Sequence, residues 1–309
     1  MAADAEPRDP RRLVHPSLIP ALDFIPVFAT DVAGLADNRA MVAAMEAGPT
    51  PPGVERTEIT VPGRDGAPDV RCLLYRPTGA APRLTVLHLH GGGFVIGRPE
   101  MNDARNLSLV TDLGCAVLSA DYRLAPEHPW PAALDDALTA YQWLLDQLTP
   151  GAKLVVLGES AGGGLAASLS HRLRDLGRPL PALQALLYPM LDPRSGIDGV
   201  APPGVGDHVW TRANNRFAWS AYLADAEADA GAAPALTKTV EGLPPTFILV
   251  GALDLFLEED IDYARRLACA GVPTELHVLP GAYHGFDMAG PSACADQLAS
   301  LLERALREA

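Results

Sequence analysis

From about residue 57 onward, short apolar runs of strand length alternate with segments of helical periodicity, and this alternation restricts the fold more than any other feature. Strands are expected at Thr57–Val61, Val70–Tyr75, Leu84–His90, Cys115–Ala120, Lys153–Gly158, Gln184–Tyr188, Thr246–Gly251 and Glu275–Leu279. Several are almost continuously apolar (LTVLHLH, KLVVLG, TFILVG), the pattern of strands buried on both faces of a parallel sheet. Between them, Pro131–Leu148 repeats Leu134, Leu138, Tyr141, Leu145 and Leu148 at spacings of three and four, which makes one apolar helix face. Pro131 suits the first turn of that helix, where a missing N–H costs nothing. A second helix is expected over Glu258–Ala270, with Glu258, Glu259 and Asp260 facing the positive end of its dipole. Together these predict an α/β chain built on a mostly parallel eight-stranded sheet with helices on both faces.

Two segments break the alternation. Residues 1–50 carry an expected helix around Leu35–Ala47. Residues 194–242, rich in Gly, Pro, Asp and Ala, carry another near Ala213–Leu223. Both read as additions to one domain of residues 51–309.

Charge removes several function classes. Twenty-four Lys and Arg against 38 Asp and Glu give a net charge of −14, which repels phosphate backbones, so no nucleic-acid partner is expected. The longest apolar stretches, Leu180–Leu191 and Phe247–Leu257, are too short or too interrupted to span a membrane. The opening MAADAEPRDPRR lacks the apolar core of a signal peptide. Cys72, Cys115, Cys269 and Cys294 are scattered without a C-x-x-C pair, so neither a metal site nor a disulfide framework is expected, and the cytoplasm is the default location.

Gly158-Glu159-Ser160-Ala161-Gly162 follows the strand KLVVLG and opens a helical run. A serine nucleophile on a strand-to-helix elbow needs glycine two residues to either side, because side chains there would collide with backbone. A second motif, His90-Gly91-Gly92-Gly93-Phe94, ends the strand LTVLHLH and leaves backbone N–H groups unobstructed, as an oxyanion hole requires. It lacks the lysine and the glycine spacing of a phosphate-cradling loop. The serine needs a base, and the base needs an orienting carboxylate. His284, in the loop GAYHGF after the last strand, is the candidate base. Asp254, in the turn GALDLF at the carboxyl end of a strand, is the candidate acid, with Glu258, Glu259 and Asp260 close enough in sequence to compete. The order Ser160, Asp254, His284 is that of the α/β hydrolases. No step of such chemistry requires a cofactor.

With YRLAPEHPWPAALDD (Tyr122–Asp136), YPMLD (Tyr188–Asp192) and the late HGF (His284–Phe286) added to these motifs, the chain resembles the bacterial hormone-sensitive-lipase-like carboxylesterases, the family IV esterases of the α/β-hydrolase fold. The resemblance covers nearly everything after about Val54. It implies hydrolysis of short- to medium-chain acyl esters, oxyanion donors at Gly92, Gly93 and Ala161, and a loop shaped by His90 and Gly91. It also implies a helical cap made of residues 1–50 and about 194–225. Phe24, Phe28, Trp210, Phe217 and Trp219 fall in that cap and are candidates for the substrate pocket, with packing inside the cap as their competing role. The resemblance further implies a homodimer through the sheet edge and the last helix. One departure stands out: the family's acid is usually followed by Pro-Leu, whereas Asp254 is followed by Leu255-Phe256. Acyl-transfer chemistry is shared across leaving groups, so an amidase or arylformamidase is the alternative enzyme. A small-ligand receptor of the same fold is the alternative outside catalysis.

Overall fold

A computed structural model describes residues 10–26, 28–64, 66–79, 81–196, 202 and 204–309. Eight strands form one sheet: β1 (Val54–Val61), β2 (Val70–Pro77), β3 (Leu84–Leu89), β4 (Ala116–Ala120), β5 (Lys153–Glu159), β6 (Leu183–Leu187), β7 (Thr246–Gly251) and β8 (Thr274–Leu279). All eight expected runs are therefore strands, with ends shifted by one to three residues. Their order is β1-β2-β4-β3-β5-β6-β7-β8. The β1/β2 and β2/β4 pairs are antiparallel and the remaining pairs are parallel. The chain order reverses at β3, which lies between β4 and β5, and the crevice this opens at the carboxyl ends of the strands is where such sheets carry their sites.

The unbroken apolar runs have a direct cause: successive residues of one strand feed two different cores. In β5, Leu154 and Val156 face a core shared with α3 (Ala132–Gln147), α4 (Ala161–Asp175) and α6 (Leu257–Cys269). Val155 and Leu157 face the opposite core, closed by α2 (Asp103–Leu113) and α7 (Ala293–Glu308). Pro131 stands one position before α3 and caps it.

The two additions are α1 (Val32–Ala43) with the preceding 3-10 helix Pro16–Phe24, and α5 (Arg212–Leu223). The 3-10 helix lacked an apolar period and was not expected from the sequence. Of the two expected cap segments, residues 1–9, 27, 197–201 and 203 lie outside the described residues. Asn214 on α5 donates from Nδ2 to the carbonyls of Phe28 (2.8 Å) and Ala29 (3.0 Å), which ties the two additions together. Among the described residues no helix is long and apolar enough to cross a membrane.

Candidate active site

Ser160 sits on the turn between β5 and α4 with φ +54° and ψ −119°, a left-handed conformation that a serine adopts only under constraint. The constraint is the crowding around it. A Cβ on Gly158 would meet the Gly162 carbonyl oxygen at 2.1 Å, and one on Gly162 would meet the Leu89 carbonyl oxygen at 2.0 Å. Both flanking glycines are thus required by backbone packing, as the motif predicts.

The structure brings the three candidate triad residues together. The Ser160 hydroxyl lies 2.9 Å from His284 Nε2, positioned to donate to it, and His284 Nδ1 donates to Asp254 Oδ2 at 2.8 Å. Asp254 is wholly buried in the turn after β7, and its other oxygen accepts the Phe256 N–H at 2.9 Å. Glu258, Glu259 and Asp260 make no hydrogen bond to His284. The Leu255-Phe256 departure also finds its reason here: the Phe256 ring stands edge-on to His284, with centroids 5.1 Å apart at 89°. Tyr188 does the same from another side at 5.0 Å and 72°. The imidazole is therefore fixed by ring edges as well as by hydrogen bonds.

The glycine loop approaches Ser160 from β3. Gly92 (φ +116°) and Gly93 (φ +60°) take left-handed conformations, and the Gly92 carbonyl accepts the N–H groups of Val95 and Ile96. The amides of Gly92, Gly93 and Ala161 find no acceptor among the described residues. For Ala161 this is the ordinary state of a first helical residue. His90 Nδ1 donates to the Gly91 carbonyl (2.8 Å), its ring stacks on Tyr122 (4.2 Å), and the Tyr122 hydroxyl donates to the His90 carbonyl (2.7 Å). Burial lowers the His90 pKa to about 4, so at neutral pH it is an uncharged brace.

Ser160, His284, Gly91 and Gly92 open on a cavity of about 450 Å³. Of the aromatic candidates, Phe24, Phe28 and Trp210 line it. Phe217 and Trp219 do not. Trp219 is buried against Phe94 (5.7 Å between ring centroids) and Tyr222 (6.0 Å), and Phe217 packs on the same core. The sequence reading also missed Met41, Met45, Met101 and Met288, which make the wall apolar but deformable.

A second omission lies behind the site. On the α2 face of the sheet, Ser119 of β4 and His88 of β3 are register partners, and Ser119 Oγ lies 2.8 Å from His88 Nδ1. His88 Nε2 donates to Glu159 (2.9 Å), the residue before Ser160. Arg105 on α2 donates to both Glu159 and Asp287, and the Tyr188 hydroxyl donates to Asp287 at 2.7 Å. Burial alone would raise the Glu159 carboxyl, but the charges and hydrogen bonds of His88 and Arg105 reverse this and hold it at about 2. Among the described residues no three His, Cys, Asp or Glu side chains converge as a metal site.

The sequence matches the alpha/beta hydrolase fold family over residues 86–288. It is 34% identical over 291 residues to the carboxylic ester hydrolase LipN of Mycobacterium tuberculosis, covering 89% of this chain and 75% of that protein. It is 33% identical over 241 residues to the ethyl acetate hydrolase of Pseudomonas putida, covering 74% of this chain and 75% of that protein. Among solved structures, a bacterial heroin esterase superposes with a TM-score of 0.87 at 34% identity, over 97% of this chain and 99% of that one. The esterase LipW from Mycobacterium marinum gives 0.83 at 30% identity, over 96% of each chain. With its eight-stranded sheet, its serine elbow and these relatives, the chain belongs to the α/β-hydrolase fold family.

Proposed function

We propose that the protein is a serine carboxylesterase acting on short- to medium-chain acyl esters. The observation that carries this reading is the hydrogen-bonded file Ser160–His284–Asp254 opening on an apolar cavity beside three amides without acceptors. His284 takes the Ser160 proton as Oγ attacks the ester carbonyl, and Asp254 holds the imidazole in the tautomer with its proton on Nδ1. The carbonyl oxygen, now an anion, lies against the N–H groups of Gly92, Gly93 and Ala161. Loss of one such donor typically costs about 3 kcal/mol of barrier. Collapse of the tetrahedral species expels the alcohol, which His284 protonates, and leaves Ser160 acylated. His284 then deprotonates a water that attacks the acyl carbonyl, and a second collapse restores the hydroxyl.

Residues 1–50 and 194–225 act as the cap, a reading supported by the Asn214 bonds to Phe28 and Ala29 and by Phe24, Phe28 and Trp210 in the cavity wall. A reducing cytoplasmic setting agrees with four free cysteines, three of them buried. The homodimer implied by the resemblance uses the β8 edge and α7, and the mass measured by light scattering checks it.

Hydrolysis of p-nitrophenyl esters from acetate to palmitate, with Ser160→Ala alongside, tests the function. Steady turnover peaks at short to medium chains, and the folded variant loses activity by about 10⁶-fold. A folded Ser160→Ala that still turns over overturns the scheme. Turnover of anilides but not esters makes the protein an amidase, and an acylation burst that stops makes it a receptor.

A further inference from the structure

We infer that Arg105 is a positioning residue that locks the Ser160 elbow and the His284 loop to one another from behind the sheet. The inference rests on the triad reading above.

The two catalytic partners come from distant places. Ser160 rides on the β5–α4 turn and His284 on the segment after β8, 124 residues later, with β6 and β7 between their strands. Attack requires the hydroxyl and the imidazole to hold hydrogen-bond distance, and misplacement by about 1 Å can cost on the order of 10²-fold in rate. The Ser160–His284 bond cannot enforce that distance, because it breaks as the proton moves. Something outside the reacting atoms must hold it.

Arg105 is placed to do so. Its guanidinium donates through Nη1 to Glu159, one residue before Ser160, and through Nη2 to Asp287, three residues after His284. Both carboxylates are buried, with side chains 3% and 4% exposed. Each is gripped from a second side as well. His88 holds Glu159 from β3, and Tyr188 holds Asp287 while its ring edge meets His284. A planar fork with several donors can span two carboxylates at once, whereas an ammonium is a single point. Arg105 does not line the cavity, so it acts through the residues it joins rather than on substrate.

Phosphorylation of the serine by a phosphate triester reads this alignment directly. Diethyl p-nitrophenyl phosphate is attacked by Ser160 Oγ, so an O–P bond forms, p-nitrophenolate leaves and the serine proton passes to His284. The released p-nitrophenolate counts active sites and gives the rate per site. We compare wild type with Arg105→Lys, Asp287→Asn and the double variant, and run p-nitrophenyl butyrate turnover in parallel. Both single variants are expected to slow phosphorylation of Ser160 and kcat per titrated site by about ten- to a hundredfold, with KM within about twofold. The double variant is expected to be no slower than the worse single one, because both remove the same bridge. If Arg105→Lys does not fold, Asp287→Asn carries the test alone. Wild-type rates per site in folded variants, or independent multiplying losses, overturn the inference even when stability falls. If wild type is phosphorylated by the triester but hydrolyses no ester, the esterase reading fails while the bridge is still measured. If wild type is not phosphorylated at all, both fall together.

Discussion

Two groups of buried carboxyls flank the proposed triad, and they solve the same electrostatic problem in opposite ways. On the α2 side, Glu159 and Asp287 are fully partnered by His88, Arg105 and Tyr188. On the α6 side, Glu259 accepts the Leu191 N–H (2.7 Å), the Asp192 N–H (3.3 Å) and the Ser195 hydroxyl, but among the described residues no cation forms an ion pair with it. Its neighbour Asp260 is wholly buried, and neither of its oxygens has a hydrogen-bond partner. Burial pushes both carboxyls up, with Glu259 and Asp254 adding repulsion at Asp260. Paired cations thus hold the Glu159 carboxyl down, while burial pushes Glu259 and Asp260 up. Burial by itself does not decide where an acid titrates, and neutral donors do not reverse it at Glu259; a paired cation does at Glu159.

The contrast can be broken in three places, the largest effect first. Glu159→Gln removes a buried anion while leaving Arg105 and His88 pointing at an amide, part of which can only donate. Denaturant unfolding at pH 7 is expected to show a loss of about 3–5 kcal/mol. Wild-type Glu159 is depressed from 4.5 to about 2, so its contribution is complete above about pH 4.5 and disappears as pH falls toward 2. The variant flattens that acid limb. A full-size acid limb in Glu159→Gln shows that other groups produce it.

Asp260→Asn works in the other direction. A carboxyl raised on folding costs stability as pH climbs above its unfolded value of 3.8, because only the unfolded chain ionises freely. The amide isostere removes that cost, so the variant should gain about 1–3 kcal/mol at pH 8, with the gain shrinking toward pH 4. A loss at pH 8, or a gain independent of pH, contradicts the upward shift of the Asp260 carboxyl. The smallest effect belongs to Arg64→Ala, which breaks an ion pair with Asp146 whose two side chains are each about half exposed. Its cost is expected within about 0.5 kcal/mol in the same unfolding assay. A cost comparable to that of Glu159→Gln would mean that pairing rather than burial sets these energies.

The fold was readable because the inner strands are apolar on two faces and the serine elbow is written in glycine. Gly158, Gly162, Gly92 and Gly93 announce themselves, since any other residue collides with backbone or leaves its allowed conformation. The polar bridge was not readable. Arg105 occupies an ordinary helix position, Glu159 looks like filler inside G-E-S-A-G, and Asp287 follows the HGF motif by one residue. Only their meeting in space gives them meaning, and no local pattern encodes it. Trp210 and Trp219 mark the same limit. Nine residues separate them, yet Trp210, two residues before α5, lines the cavity, while Trp219, within α5, packs against Phe94 and Tyr222 away from it.

The distance along the chain between Ser160 and His284 also has a consequence in time. Translation runs from the N-terminus, so the glycine loop and the elbow leave the ribosome well before the base that is to activate them. During that interval the hydroxyl is no more acidic than that of any serine. A partly made chain thus lacks the base and the cavity wall that follows β8, so under the proposed triad its reactivity toward esters begins only when β7 and β8 have docked.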